Sequence, residues 1–200
     1  MMKKLFFLLF GLIISLSSLE LNAQRIRLID GDPGVLQGIH RLNIQYDYSQ
    51  MAVGNYADER DYINKKREEL NAKKDGRGDQ WVKDWVSDRQ TLFQPMFEDL
   101  FSKYSGLVVG NLPSERYTLI IKTTFTEPGY NVYVSHRMAF INGEALIVET
   151  ANPEHIIAKF TIYHSPGRDA LGFDYATGTR IKEAYAAAGK AFGRALNKYL

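Results

Sequence analysis

The segment from Trp81 to Tyr104 constrains the fold of this 200-residue chain more than any other part of it. At about 100° per residue, its large apolar side chains fall in one half of a helical wheel and its polar side chains fall mainly in the other half. A broad aromatic face needs a large partner surface, and a β-sheet is the natural one. Pro95 interrupts the pattern, so we expect a kink or a new helix start there, because proline lacks the N–H and clashes with the preceding turn.

The predicted sheet comes mostly from one stretch, Tyr117–His164. Apolar and polar residues alternate from Tyr117 to Phe125, which is typical of a strand with one buried face. Glu127-Pro128-Gly129 predicts a turn. Asn142-Gly143 predicts a tight hairpin, because both positions tolerate positive φ. Connections this short predict an antiparallel meander.

One earlier strand and two further helices complete the predicted fold. Alternating apolar side chains predict a strand from Ile39 to Tyr48, and the charged run Asp58–Lys74 predicts a surface helix. Thr179 is predicted to cap a terminal helix whose stripe includes Ile181, Tyr185 and Phe192. The element order β-α-α-β-β-β-β-α therefore predicts an α+β fold: an antiparallel four- or five-stranded sheet with helices packed on one face.

The first 23 residues have the pattern of a secretory signal peptide. Lys3 and Lys4 precede the apolar run Leu5–Ile14, and Ala23 supplies a small residue at the expected cleavage site. An uncleaved membrane anchor is the alternative, but the apolar run is shorter than the roughly 20 residues that a spanning helix needs. We therefore predict a signal peptide at 1–23, an exposed leader at 24–38 and a single α+β domain at 39–200.

Composition narrows the location and the partners of the exported form. The chain has no cysteine, which excludes disulfides and a lipid-attachment cysteine after the signal, so a packed core must hold it together. The formal net charge is only +2, which gives no reason to expect a nucleic-acid partner. We expect a protein without a membrane span after cleavage, periplasmic or outer-membrane-associated, with an envelope protein as partner.

Two blocks of sequence carry a resemblance to known proteins. The signal end Asn22-Ala23-Gln24, the block Tyr117–Gly129 and the later Val148-Glu149-Thr150 look like uncharacterised exported proteins of Bacteroidetes. The element order is also similar to the amino-terminal domain of TolB and to periplasmic domains of secretion components. The resemblance implies an envelope location, and it brings no assigned activity.

No motif in the sequence predicts a cofactor, a metal or a catalytic mechanism. His40, His136, His155 and His164 stand in none of the zinc-binding spacings. Arg77-Gly78-Asp79 spells an adhesion tripeptide, but a polar turn between helices favours the same residues. A carboxylate pair or a histidine site assembled from distant positions stays open, because such pairs leave no sequence signature.

The tyrosines of the predicted strands suggest a surface for binding. Exposed tyrosines offer a large contact area at low entropy cost, although strand tyrosines are equally common as packing residues. The candidate platform consists of Tyr133, His136, Arg137 and Tyr163. We therefore predict an exported envelope binding or assembly module, and the alternative is a hydrolase acting on an envelope or extracellular polymer.

Overall fold

A seven-stranded mixed sheet with helices on one face forms the body of the protein in a computed structural model that describes residues 24–132, 135–167 and 176–200. The predicted signal peptide and Tyr133 lie outside the described residues. The strands are β1 Arg25–Gly31, β2 Arg41–Asp47, β3 Ala52–Val53, β4 Val108–Gly110, β5 Tyr117–Glu127, β6 Tyr130–Val132, β7 Ser135–Arg137, β8 Ala139–Glu149 and β9 Asn152–Gly167. The helices are α1 Glu59–Lys73, α2 Arg77–Asp88, α3 Gln94–Ser105 and α4 Thr177–Leu196.

The strand order β1-β9-β8-β5-β2-β4, with β3 beside β5, confirms an α+β fold but not the fully antiparallel sheet that the sequence predicted. Strands β1, β9, β8 and β5 pair antiparallel, whereas β2 runs parallel to both β5 and β4. The physical reason is the long connection between β2 and β4. Helices α1 to α3 lie in that connection and return the chain to the same end of the sheet, as parallel pairing requires.

The segment expected to be an exposed leader instead begins with a strand. Arg25–Gly31 pairs with β9 along its length, and Leu36 beyond it is fully buried. Ile26 and Leu28 explain the difference, because they alternate with exposed residues and pack against the core. The turn-rich residues 30–34 hid this short alternation in the sequence.

The predicted hairpin at Asn142-Gly143 is wrong, since both residues lie inside β8 at a register irregularity. A Cβ on Gly143 would approach the Lys122 carbonyl oxygen to 2.5 Å, so glycine here permits a close approach of two strands. The Asn142 Oδ1 accepts a hydrogen bond of 2.7 Å from the His164 N–H. Strands β6 and β7 instead pair antiparallel with each other, and Gly129 before them has φ +61°.

The aromatic segment forms two helices separated by a π-helical turn, Arg89–Phe93. Pro95 lies in the first turn of α3, so the predicted new helix start is confirmed. Phe101 of α3 stacks on Phe192 of α4 at 5.3 Å, and Phe192 in turn contacts Phe160 of β9 at 5.2 Å. The aromatic face therefore reaches the sheet through α4.

Helix α4 starts at Thr177, two residues before the predicted cap, and the stripe residues Ile181, Tyr185 and Phe192 are buried. In contrast, α1 buries no residue, as its thin apolar content predicted. Within the described ranges, no helix is both long and apolar enough to cross a membrane.

Candidate functional site

Two neighbouring depressions, of about 910 and 720 Å³, meet at Tyr46, Tyr48 and Arg89. We call this concave surface the Tyr48 cleft. The larger depression also reaches Asp47, Asp58 and Glu59. The Tyr48 cleft lies where the end of β2, the start of α1 and the π-helical turn come together. Large concave surfaces with a few fixed polar groups are where ligands bind most often.

The π-helical turn gives Arg89 its position in the cleft. Such turns are rare and occur frequently at functional sites. Arg89 forms an ion pair with Glu59, and the Trp85 Nε1 donates a hydrogen bond of 2.6 Å to the same Glu59 Oε1 atom. The Arg89 guanidinium carbon lies 4.4 Å from the centre of the Tyr48 ring. Arg89 is thereby held by a charge on one side and by an aromatic face on the other.

The two tyrosines continue the core-facing side of β2 beyond the core itself. Their rings stack with centroids 6.5 Å apart. The Tyr46 hydroxyl donates to the Glu98 Oε1 at 3.1 Å, and the Gln94 carbonyl oxygen lies within hydrogen-bond distance of it at 3.3 Å. Burial is the main cause that raises the pKa of both Tyr46 and Tyr48, so both hydroxyls stay protonated at physiological pH.

The Tyr48 hydroxyl is buried, and its polar neighbours are Gln94 and the fully buried Tyr185 hydroxyl. Neither of them meets strict hydrogen-bond geometry among the described residues. The hydroxyl therefore faces the interior, and the ring is the part of Tyr48 that contacts Arg89 in the cleft.

Two carboxylates on the rim of the cleft are held in their ionised form. A hydrogen bond from Ser49 lowers the pKa of Asp47. Hydrogen bonds from Arg60 lower the pKa of Asp58 to about 2. These carboxylates suit charge recognition, because neither keeps a proton that it could donate near neutral pH.

Glu98, behind the cleft, has a raised pKa, in contrast to Asp47 and Asp58. Burial raises the pKa of its carboxyl group, and the hydrogen bond from Tyr46 opposes this rise only in part. Since Glu98 already accepts the Tyr46 hydroxyl, its carboxylate orients the tyrosine that forms the cleft wall.

The predicted platform residues lie in two separate places. His136 and Arg137 are exposed on β7, where the Arg137 guanidinium lies 3.5 Å from Glu127 and 5.8 Å from the Tyr130 ring. Tyr163 is 46% exposed on β9, pairs in register with Arg25 and borders a different depression. No hydrogen bond, ion pair or ring contact joins Tyr163 to the two β7 residues, and Tyr133 lies outside the described residues.

The other sequence candidates have ordinary surroundings. Within the described residues no group of histidine, aspartate and glutamate side chains could hold a metal ion. His155 lies 3.4 Å from Glu149, and the His164 ring packs on Phe140 at 4.1 Å. The adhesion-like tripeptide starts α2, and its Asp79 pairs with Arg67 at 2.6 Å.

Sequence reasoning missed the cleft because its partners are far apart in the chain. Glu59 and Arg89 are separated by 30 residues, and no periodicity links them. The only available signal was the extension of the β2 alternation to Tyr46 and Tyr48, which placed two aromatic side chains on one face.

Comparison with known proteins gives no family for this chain. No protein-family model and no curated protein matches the sequence. Among solved structures, the chain is similar to the PelC dodecamer from Paraburkholderia phytofirmans, at 9% identity and a TM-score of 0.38 over 84% of this chain and 96% of that chain. A variant PelC dodecamer from the same organism gives 10% identity and a TM-score of 0.36, over 82% of this chain and 99% of that chain. Likenesses this distant assign neither a fold nor a function to the chain.

Proposed function

We propose that this protein is an exported envelope binding or assembly module and that the Tyr48 cleft is its recognition surface. The choice of the cleft rests on one observation: the fold holds the Arg89 guanidinium between a carboxylate and an aromatic ring at the surface of an open depression.

The fixed position of Arg89 supports recognition of a specific ligand. Its side chain is 19% exposed and that of Glu59 is 14% exposed, so the pair is partly shielded from solvent. A guanidinium immobilised before binding loses little side-chain entropy when a ligand arrives. The stacked Tyr46 and Tyr48 rings add apolar area beside it.

The alternative function, a hydrolase, finds less support in the same cleft. Hydrolysis by a carboxylate pair needs one carboxyl group that still holds a proton near neutral pH. Asp47 and Asp58 have lowered pKa values. Glu98 has a raised pKa, but it does not line either depression and its carboxylate accepts a hydrogen bond from Tyr46. The cleft is therefore better suited to holding a ligand than to cleaving one.

The proposed export is supported by residues 1–23 and is tested by protease access. The complete chain with a carboxyl-terminal tag should resist protease in intact cells and become digestible once the outer membrane is opened. A tag that stays protected until the inner membrane is broken would contradict export.

The cleft is tested by photo-crosslinking in the same intact cells. A photoreactive amino acid at Gln50, on the cleft rim, should give a reproducible adduct, whereas one at exposed Asn64 of α1 should not. The adduct at Gln50 should weaken severalfold in an Arg89→Lys background, because lysine keeps the charge but lacks the planar guanidinium. Equal adducts at both positions, no adduct at Gln50, or an adduct unaffected by Arg89→Lys would each contradict a ligand in the cleft.

A further inference from the structure

Strand β1 forms one edge of the sheet. Six of its seven residues pair with β9 on one side, Ile29 lies at a register irregularity, and no other described strand pairs with β1 on the other side. The Gln24 side chain anchors its start through hydrogen bonds to the Ser165 hydroxyl and the Ala187 carbonyl oxygen, at 2.9 and 3.0 Å. The open edge therefore presents backbone N–H and C=O groups at a fixed position.

The side chains of β1 divide between the two faces of the sheet. Ile26 and Leu28 pack against the core, whereas Arg25, Arg27 and Ile29 are exposed on the opposite face. These three exposed residues line one side of a depression of about 480 Å³ that extends to Tyr163 of β9.

The charges on this outer face are unevenly paired. Lys159 contacts Glu144 at 2.7 Å, and Lys122 lies 3.9 Å from Asp47. Within the described ranges, Arg25 and Arg27 make no ion pair, side-chain hydrogen bond or ring contact. The edge strand thus carries two cations without an ion pair to any described residue, and the carboxylate that lines the same depression, Glu144, is already paired with Lys159.

We infer that the β1 edge binds an extended acidic segment of a partner protein, which adds to the sheet as a further strand. Backbone hydrogen bonds to β1 would give affinity, as in other cases of strand addition. Carboxylates at alternate positions of the segment would face Arg25 and Arg27, and the intervening apolar side chains would face the core side.

The same charges argue against a second copy of this chain as the occupant. Pairing of β1 with β1 would place Arg25 and Arg27 of both copies on one face, and like charges on neighbouring strands destabilise a sheet. Basic residues on an edge strand also prevent uncontrolled edge-to-edge association. The arginines therefore exclude self-pairing and select an acidic segment.

A peptide titration tests this inference with purified protein obtained from the complete chain. The probe is a fluorescently labelled eight-residue peptide of alternating glutamate and valine, and a lysine–valine peptide is its control. We expect saturable binding of the acidic peptide only, with an affinity that decreases as salt increases. No binding of the acidic peptide, or equal binding of both peptides, would overturn the inference.

Charge-reversal variants separate the β1 edge from general electrostatic attraction. The double variant Arg25→Glu/Arg27→Glu should weaken binding at least tenfold. Lys73→Glu/Lys74→Glu makes the same change of net charge at exposed positions on and just after α1, and it should leave binding nearly unchanged. Equal loss in both double variants would overturn the assignment to β1.

Hydrogen exchange tests whether the peptide adds as a strand. The amides of Arg25–Gly31 that do not pair with β9 should become protected at saturating acidic peptide. Protection confined to other elements would overturn strand addition. Protection of these amides without peptide, together with concentration-dependent dimerisation, would instead identify a second copy as the occupant.

Discussion

The two faces of the central sheet are built from the same strands but have opposite properties. On the helix side, Leu119 of β5, Ile147 of β8 and Phe160 of β9 are at most 1% exposed. On the other side, Lys122, Glu144 and Lys159 alternate with them and pair across the strands. The first face supplies the apolar burial that holds the fold, and the second carries charged side chains that stay partly exposed. Alternation along each strand therefore places apolar burial on one face and charge on the other.

Among substitutions on the two faces, we expect Phe192→Ala to cause the largest loss of stability. Phe192 is fully buried between Phe101 and Phe160, so truncation leaves a cavity and should lower the free energy of unfolding by about 3 to 5 kcal/mol. Thr161→Ala on the outer face of β9 is the control and should change stability by no more than about 0.5 kcal/mol. Urea denaturation measures both, and similar losses would contradict the division between the faces.

The Arg89–Glu59 pair should give the next largest effect. The Glu59 carboxylate also accepts a hydrogen bond from the Trp85 N–H, so removal of Glu59 leaves a partly buried cation and a buried donor unpaired. We expect Glu59→Ala and Arg89→Ala each to lower the free energy of unfolding by about 2 to 3 kcal/mol, because loss of one partner leaves the other charge unpaired. In a double-mutant cycle measured by thermal unfolding, the double variant should lose much less stability than the sum of the two single variants. Simple additivity would contradict this interpretation.

Close helix packing should give a smaller effect through Gly189→Ala. A Cβ at Gly189 would lie 2.3 Å from the Phe97 carbonyl oxygen, so α3 and α4 must move apart. Although alanine favours an exposed helix by about 1 kcal/mol, overpacking should reverse the sign and cost about 1 to 2 kcal/mol. Gly193→Ala, where the nearest atom would be 2.8 Å away, should cost less. Chemical denaturation of both variants checks this order.

The ion pair on the outer face should contribute little. Glu144 and Lys159 are 28% and 34% exposed, and water screens their attraction. A double-mutant cycle of Glu144→Ala and Lys159→Ala should give a coupling energy below about 1 kcal/mol that decreases in salt. A coupling as large as that of Arg89 and Glu59 would contradict the contrast between the shielded and the open pair.

The smallest effect should be a pH dependence at Glu98. Because burial raises its pKa above 4.5, ionisation of Glu98 destabilises the folded state as pH rises through the interval between 4.5 and the raised value. Glu98→Gln keeps an acceptor for Tyr46 but cannot ionise, so its stability relative to the unchanged protein should increase as pH rises through that interval. Unfolding midpoints measured from pH 4 to 7 check this, and a difference independent of pH would contradict it.

Sequence reasoning was most successful where a pattern repeated over many residues. The periodicity of the aromatic segment and the position of Pro95 predicted α2, α3 and the break between them, and the stripe of α4 was predicted because its apolar residues recur every turn. Strand β1 was missed because its alternation is short and adjoins a glycine-rich turn. Asn142-Gly143 was misread since the same two residues that suit a hairpin also suit a bulge.

The candidate cleft was beyond prediction for a different reason. Glu59, Trp85 and Arg89 form one polar cluster, but nothing in their spacing distinguishes them from solvent-exposed residues of a charged helix. The contact between the Arg89 guanidinium and the Tyr48 ring likewise exists only in the folded chain.

The sequence by itself determined the long helices and strands and which face of each is apolar, because backbone geometry repeats every two or 3.6 residues along the chain. Only the tertiary structure decided that β2 runs parallel to β5, that Arg25 and Arg27 lie on an edge strand without an ion pair to any described residue, and that a cleft opens at Tyr48. These features depend on distances between segments remote in sequence, which no local periodicity records.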